Sequence, residues 1–127
     1  MQSRFFRVTV VDEVATVDLL RERLTDEDNI EEFGQELASL VDKLNYRKVI
    51  LNMEQVKYLT SSVIGKLIML HRRLVRSDGH LVLVGLQPDV EEILSTSQLL
   101  SYFHTAPDGA AARESWPASS QRPASAG

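Results

Sequence analysis

Two short apolar runs, Val49-Ile50-Leu51 and Leu81-Val82-Leu83-Val84-Gly85-Leu86, lack the alternation of a half-solvated strand, and the chain between them carries a helical period. Unbroken runs of this kind suit strands covered on both faces. In the intervening segment Val63, Leu67, Leu70 and Leu74, flanked by Ile64, Ile68, His71 and Val75, recur at the spacing of one helix face. Strand, helix and strand in that order predict a right-handed crossover between parallel strands, with a helix over 61–77 lying against the sheet. Gly79 can end that helix. In open α/β sheets the edge where the loops leave the strands is where ligands and partners bind, and the loop 53–60 opens onto it.

The flanking sequence adds strands on one side and a helix on the other. Residues 4–11 alternate, with Phe6, Val8 and Val10 opposed to Phe5, Arg7, Thr9 and Val11, and 14–20 alternate again with Ala15, Val17 and Leu19 on one face. Asp12-Glu13 is short enough for a hairpin turn, although it lacks the glycine that favours tight primed turns. The pattern breaks through Arg21–Asp28. Asp28 or Asn29 then caps a helix to about Leu44, with Glu31 or Glu32 placed for a capping box. Its stripe is Ile30, Phe33, Leu37, Leu40, Val41 and Leu44, and Asn45 suits a left-handed exit. Gly34 costs this helix about 1 kcal/mol relative to Ala, which a close contact would justify.

Pro88 opens a further helix to Ser95, since its missing N–H would be unpaired there, and Leu99–Phe103 forms a short strand or packed segment. From Ala106 the composition turns to Ala, Ser, Pro and Gly, so 106–127 reads as a disordered tail behind a domain of residues 1–105, with Trp116 as its one large apolar residue. The expected fold is α/β: a small mixed sheet of four to five strands with an N-terminal hairpin, strand-helix-strand units, and helices packed on the sheet.

Composition narrows the function classes. With 127 residues, 43% hydrophobic and 25% charged, the chain can bury one core unaided. A net charge of -4 and a pI near 5.3 argue against a general nucleic-acid binder, which needs a basic face. The chain carries neither a long apolar span nor a secretory leader, so no membrane contact and a cytoplasmic location are expected. Absence of cysteine excludes disulfides and thiolate chemistry. His71, His80 and His104 lack the paired spacing of a metal site. No phosphate-binding glycine loop and no nucleophile–base–orienter set is present, so no cofactor, no metal and no enzymatic activity are expected.

The most informative stretch is Tyr58-Leu59-Thr60-Ser61-Ser62-Val63-Ile64-Gly65, where three hydroxyls fall at a helix start. The first N–H groups of a helix lack internal partners and the peptide dipoles make that end partly positive, so an esterified phosphate would be welcome there. Ser and Thr are also preferred N-caps on their own account. Off the core stripe, Ser62, Gly65, Lys66, Met69, Arg72, Arg73 and Arg76 would form one outward surface running away from Ser61, while acids concentrate between Asp26 and Glu36.

This stretch resembles the signature of STAS domains, the bacterial anti-sigma factor antagonists, in which an Asp-Ser-Ser/Thr-Gly-Leu-Gly segment opens the second helix. The likeness covers about residues 5–104, through the Arg47–Asn52 strand, the 81–86 strand and the Pro88-Asp89-Val90 helix start. The resemblance implies that Ser61 is the phosphoacceptor, with Ser62 and Thr60 as alternatives. It implies an anti-sigma factor serine kinase as partner, with a serine phosphatase as a second, and a contact surface of Thr60, Ser62, Gly65, Lys66, Met69, Arg72 and Arg73. Thr60 stands where the family usually has Asp, and Val63 where it usually has Gly, which predicts a locally different docking surface. Two other readings stand beside this one: a STAS scaffold without phosphate control, and a small ligand-binding α/β domain.

Overall fold

Alternation in the first twenty residues builds a hairpin in which β1 (Phe6–Val11) and β2 (Val14–Leu19) pair antiparallel, Phe6 opposite Leu19 and Val11 opposite Val14. Asp12 and Glu13 make the turn with φ of 53° and 67°, the left-handed pair whose twist matches the strands. The tight turn therefore forms without its customary glycine, at a steric cost in both residues. The computed structural model describes residues 3–26, 29–114 and 116.

Beyond the hairpin come β3 (Arg23–Leu24), α1 (Ile30–Asp42), β4 (Lys48–Asn52), β5 (Tyr58–Leu59), α2 (Ser61–Arg76), β6 (His80–Val84), α3 (Pro88–Thr96), β7 (His104–Ala106) and α4 (Gly109–Glu114). The main sheet has the order β1-β2-β4-β6-β7, with every pairing after the hairpin parallel. This is the mixed five-stranded arrangement that the two apolar runs and the N-terminal alternation imply. The element bounds shift slightly: α1 ends at Asp42 rather than Leu44, and the last parallel strand of the crossover starts at His80 and stops at Val84. Leu99–Phe103 is a packed turn, and the short final strand follows it at His104.

Side-chain alternation along the central strands divides the interior. Val49 and Leu51 of β4 and Leu81 and Leu83 of β6 face the principal core with Phe5, Phe6, Phe33, Leu37, Leu40, Leu67, Leu70 and Leu74. Ile50, Val82 and Val84 face the other way, with Val14 and Ala112. That second face explains why part of the tail is structured. The domain edge set at 105 falls inside β7, and 106–114 is not disordered: Ala106 completes the strand, and α4 lays its fully buried Ala112 over the outer side of β4 and β6. Small alanines allow close approach to a patch that would otherwise leave Ile50 and two valines in water. Trp116 is half-buried on the same cluster, its ring 6.4 Å from that of His80. The rest of the expected tail, 115 and 117–127, lies outside the described residues.

Two glycines mark close approaches. A Cβ on Gly79 would lie 2.5 Å from the Arg47 carbonyl oxygen, so the chain must have Gly where it leaves α2, although the left-handed residue is Asp78 at φ 62°. A Cβ on the buried Gly34 would lie 2.8 Å from Lys66 Cδ, so the weak helix former in α1 makes room for a side chain of α2.

Candidate functional site

The start of α2 is held by a feature that periodicity cannot reveal: a second, two-stranded parallel sheet in which Arg23 pairs with Tyr58 and Leu24 with Leu59. Leu24 and Leu59 drive it, being 0% and 2% exposed. Around them the Lys57 and Tyr58 N–H groups donate to the Glu22 carbonyl and Thr60 N–H donates to that of Leu24. Arg23 lies over the Tyr58 ring at 4.7 Å from its centroid. The preceding loop is tied as well. Met53 and Val56 are buried, Met53 N–H donates to the Val84 carbonyl, and Gln87 Nε2 donates to that of Glu54 at 2.6 Å. The hydroxyl-bearing turn is therefore fixed to the ends of β4 and β6 on one side and to β3 on the other.

On this platform Thr60 is the N-cap, with extended backbone, and Ser61 and Ser62 are the first helical residues, both exposed. Thr60 does not cap through its side chain: Oγ1 donates to Asp26 Oδ1 at 2.9 Å instead. Its carbonyl accepts from Ile64 N–H, while the N–H groups of Ser61, Ser62 and Val63 meet no acceptor among the described residues. Ser61 thus stands in solvent, beside free donors at the positive end of a helix of 16 residues. The Asp26 carboxylate reaches this turn from another part of the chain. Thr60, which stands where the resemblance leads one to expect Asp, is thus hydrogen-bonded to a carboxylate from elsewhere in the chain.

The outward surface of α2 divides in two. Ser62, Gly65, Lys66 and Met69 line an open groove with Asp26, Asn29, Ile30 and Glu31, at the junction with the start of α1. The stem of Lys66 crosses Gly34 and its ammonium reaches Glu31 at 3.3 Å. Arg73 bonds Asp42 at 2.6 Å and sends Nε toward Met69 Sδ at 3.1 Å. Met69 is half-buried, its inner side packed on the core and its outer side in the groove. Arg72 belongs elsewhere: with His71, Val75, Arg76 and Tyr102 it borders a separate shallow depression. The single surface expected from helical spacing is therefore two, because α1 claims Lys66 and Arg73 as ion-pair partners. Val63 is also not a surface feature. It is 0% exposed in the principal core, so its side chain adds nothing to the exposed face of α2.

Histidines lie away from the helix start. His71 packs edge-on against Tyr102 and Phe103 at 5.0 and 5.8 Å, and its buried Nδ1 meets no partner among the described residues. Burial, and then the neighbouring His104 and His80, hold its pKa below the usual histidine value. His80 is lowered for the same first reason, aided by His104 and Lys48 and opposed by Asp78. Among the described residues that line the groove there is no histidine; its titratable side chains are Asp26, Glu31 and Lys66. Among the described residues, no cluster of His, Asp and Glu could hold a metal ion, and no helix is long and apolar enough to cross a membrane.

Comparison with known proteins follows this geometry. The STAS domain family matches residues 13–112. BtrV of Bordetella bronchiseptica, described as an anti-sigma factor antagonist, is 35% identical over 78 residues, which span 61% of this chain and 66% of the relative, just under two thirds of its length. The crystal structure of a Thermotoga maritima protein, also described as an anti-sigma factor antagonist, superposes with a TM-score of 0.76 at 23% identity, covering 92% of this chain and 95% of that one. The Bacillus cell fate determinant SpoIIAA in its phosphorylated form superposes with a TM-score of 0.65 at 19% identity, covering 86% and 97%. With a family match across most of its length and the fold of such proteins, the chain belongs to the STAS domain family.

Proposed function

We propose that this STAS domain is a non-catalytic binding module that engages an anti-sigma factor serine kinase in the cytoplasm, with Ser61 as the phosphoacceptor that controls the contact. The observation that carries the reading is the exposure of Ser61 at an uncapped helix N-terminus on a rigid support. Unmodified, Ser62, Gly65, Lys66 and Met69 offer an open groove with a polarizable side chain in its lining, and Thr60 stands beside it through its bond to Asp26, an arrangement that suits a transient partner. Arg73 flanks that groove through Met69, and Arg72 extends the contact to the neighbouring depression. A phosphate adds nearly two negative charges at the groove mouth, where Asp26 and Glu31 already stand, and repels an acidic partner while the free helix donors stabilise the modified protein. A serine phosphatase would restore the binding form. Support comes from the description of BtrV and from SpoIIAA having been solved phosphorylated.

Incubation with a cognate serine kinase and ATP, followed by mass mapping, tests the assignment. One phosphate on Ser61 is expected, absent in Ser61→Ala. In Asp26→Asn the rate should fall, since that carboxylate orients Thr60 beside the acceptor. Phosphate on Ser62 or Thr60 alone would move the site. No phosphate with retained kinase binding would favour a STAS scaffold without phosphate control.

A further inference from the structure

The far half of α2 carries a second exposed feature. His71 and Val75 form one column along the helix and Arg72 and Arg76 the next, each pair four residues apart, and with Tyr102 they line an open depression of about 510 Å³. Its middle is apolar. Val75 is 54% exposed, the highest value for a large hydrophobic side chain among the described residues, and Tyr102 is 40% exposed. The Tyr102 ring is held in place, edge-on to His71 at 5.0 Å and to the buried Phe103 at 5.1 Å. The rim is cationic. Lys66 and Arg73 are taken up by Glu31 and Asp42, but Arg72 and Arg76 meet no acid among the described residues. Like charges one turn apart on a helix repel. Arg76 lies in the last turn, where it offsets the dipole, whereas Arg72 precedes that turn and gains less.

We propose that this depression docks an acidic segment of a partner protein, which seats one large apolar side chain between Val75 and Tyr102 and places carboxylates on Arg72 and Arg76. Two guanidinium groups without an acid of their own suit carboxylates, with which each can form charge-assisted hydrogen bonds. Arg and Tyr around an exposed aliphatic side chain are also residue types that carry much of the energy where proteins meet. The open walls would leave most of a small molecule in water, so a chain segment fits better than a metabolite. The sequence beyond Trp116, Pro-Ala-Ser-Ser-Gln-Arg-Pro-Ala-Ser-Ala-Gly, has no acidic residue and no large apolar side chain, so it lacks the chemistry to fill the depression. This docking rests on the reading of the chain as a binding module and is independent of phosphate at Ser61. Arg72 lies about 17 Å along the helix from Ser61, and that is about two Debye lengths at physiological salt.

Selection of a random-peptide phage library on the immobilised full chain tests the site. The expected result is a consensus with acids on either side of a large apolar residue, and a synthetic peptide of that sequence should bind more weakly as salt rises. Arg72→Glu combined with Arg76→Glu should cut its affinity about tenfold or more, and Val75→Asp should do the same. All three positions are exposed, so the fold should survive with an unchanged amide spectrum. Ser61→Asp should leave the affinity within about twofold. Peptide binding in a chain that no kinase phosphorylates on Ser61 would uphold this site while removing control at the other end of the helix. Failure to enrich an acidic consensus overturns the proposal, as does peptide binding indifferent to the charge reversals or lost in Ser61→Asp. Self-association of the chain through Arg72 and Arg76 in place of peptide binding would assign the depression to a second copy and overturn it equally.

Discussion

The two long helices of this domain begin in opposite ways. At the start of α1, Asn29 accepts from the Glu32 N–H at 3.1 Å, Glu31 and Glu32 complement the dipole, and Lys66 reaches across to Glu31. At the start of α2 there is no side-chain cap and no acid in the first turn, and the N-cap hydroxyl is given to Asp26. One end gives a first-turn donor, the Glu32 N–H, a side-chain acceptor. The other, held instead by the β3–β5 pair, keeps its first-turn donors free beside an exposed serine. A capped start resists change, whereas an open start on a firm support can accept an added anion without rearrangement.

The support itself gives the largest expected effect. Leu24→Ala empties a fully buried position under β5 and should cost about 2–5 kcal/mol in denaturant unfolding; a loss below this range would mean that α2 is held without β3. Next come the caps. Asn29→Ala should cost about 1 kcal/mol, while Thr60→Val should cost less than half as much, because only the former removes a side-chain cap. Equal losses would erase the contrast. Smaller still is the coupling between Gly34 and Lys66. Gly34→Ala gains up to about 1 kcal/mol of helix propensity but displaces the Lys66 stem, so it should stabilise more in a Lys66→Ala background than alone. A double-mutant cycle showing no coupling would contradict the close contact.

Farthest from the helix start, and smallest, is the pH effect. The native pKa of His71 lies below that of the unfolded chain, so the native state binds fewer protons between the two values. Stability is complete above the unfolded value of about 6.5 and declines as pH falls through it toward the native one. His71→Phe should flatten this decline without abolishing it, since His80 is shifted the same way. Melting curves from neutral to mildly acidic pH provide the check.

Much of this architecture was legible in residue order. The unalternating runs around Ile50 and Val82 announce strands covered on both sides, and the period from Val63 to Leu74 places a helix between them. Asn29 and Pro88 are recognisable helix starts because capping depends on local chemistry. What stayed hidden depends on partners distant in sequence. Arg23–Leu24 and Tyr58–Leu59 are two residues each, too short for any period, and pair only because the fold brings them together. The helix Gly109–Glu114 reads as a tail until the bare face of Ile50, Val82 and Val84 is known to need cover. Helical spacing alone put Lys66, Arg72, Arg73 and Arg76 on one surface; the acids of α1 that draw Lys66 and Arg73 away come from the far side of an interface. At the site, the exposed position of Ser61 follows from local sequence, but the reach of Asp26 to Thr60 does not.

The claim that the start of α2 is built to accept negative charge is tested most directly by calorimetric melting of Ser61→Asp against the wild type at low salt. A carboxylate at this position meets free N–H groups and a favourable dipole, so the melting temperature should hold or rise, by at most about 1 kcal/mol of stability. A drop equivalent to more than about 1 kcal/mol would mean that Asp26 and Glu31 already make the site hostile to charge, and would contradict the account.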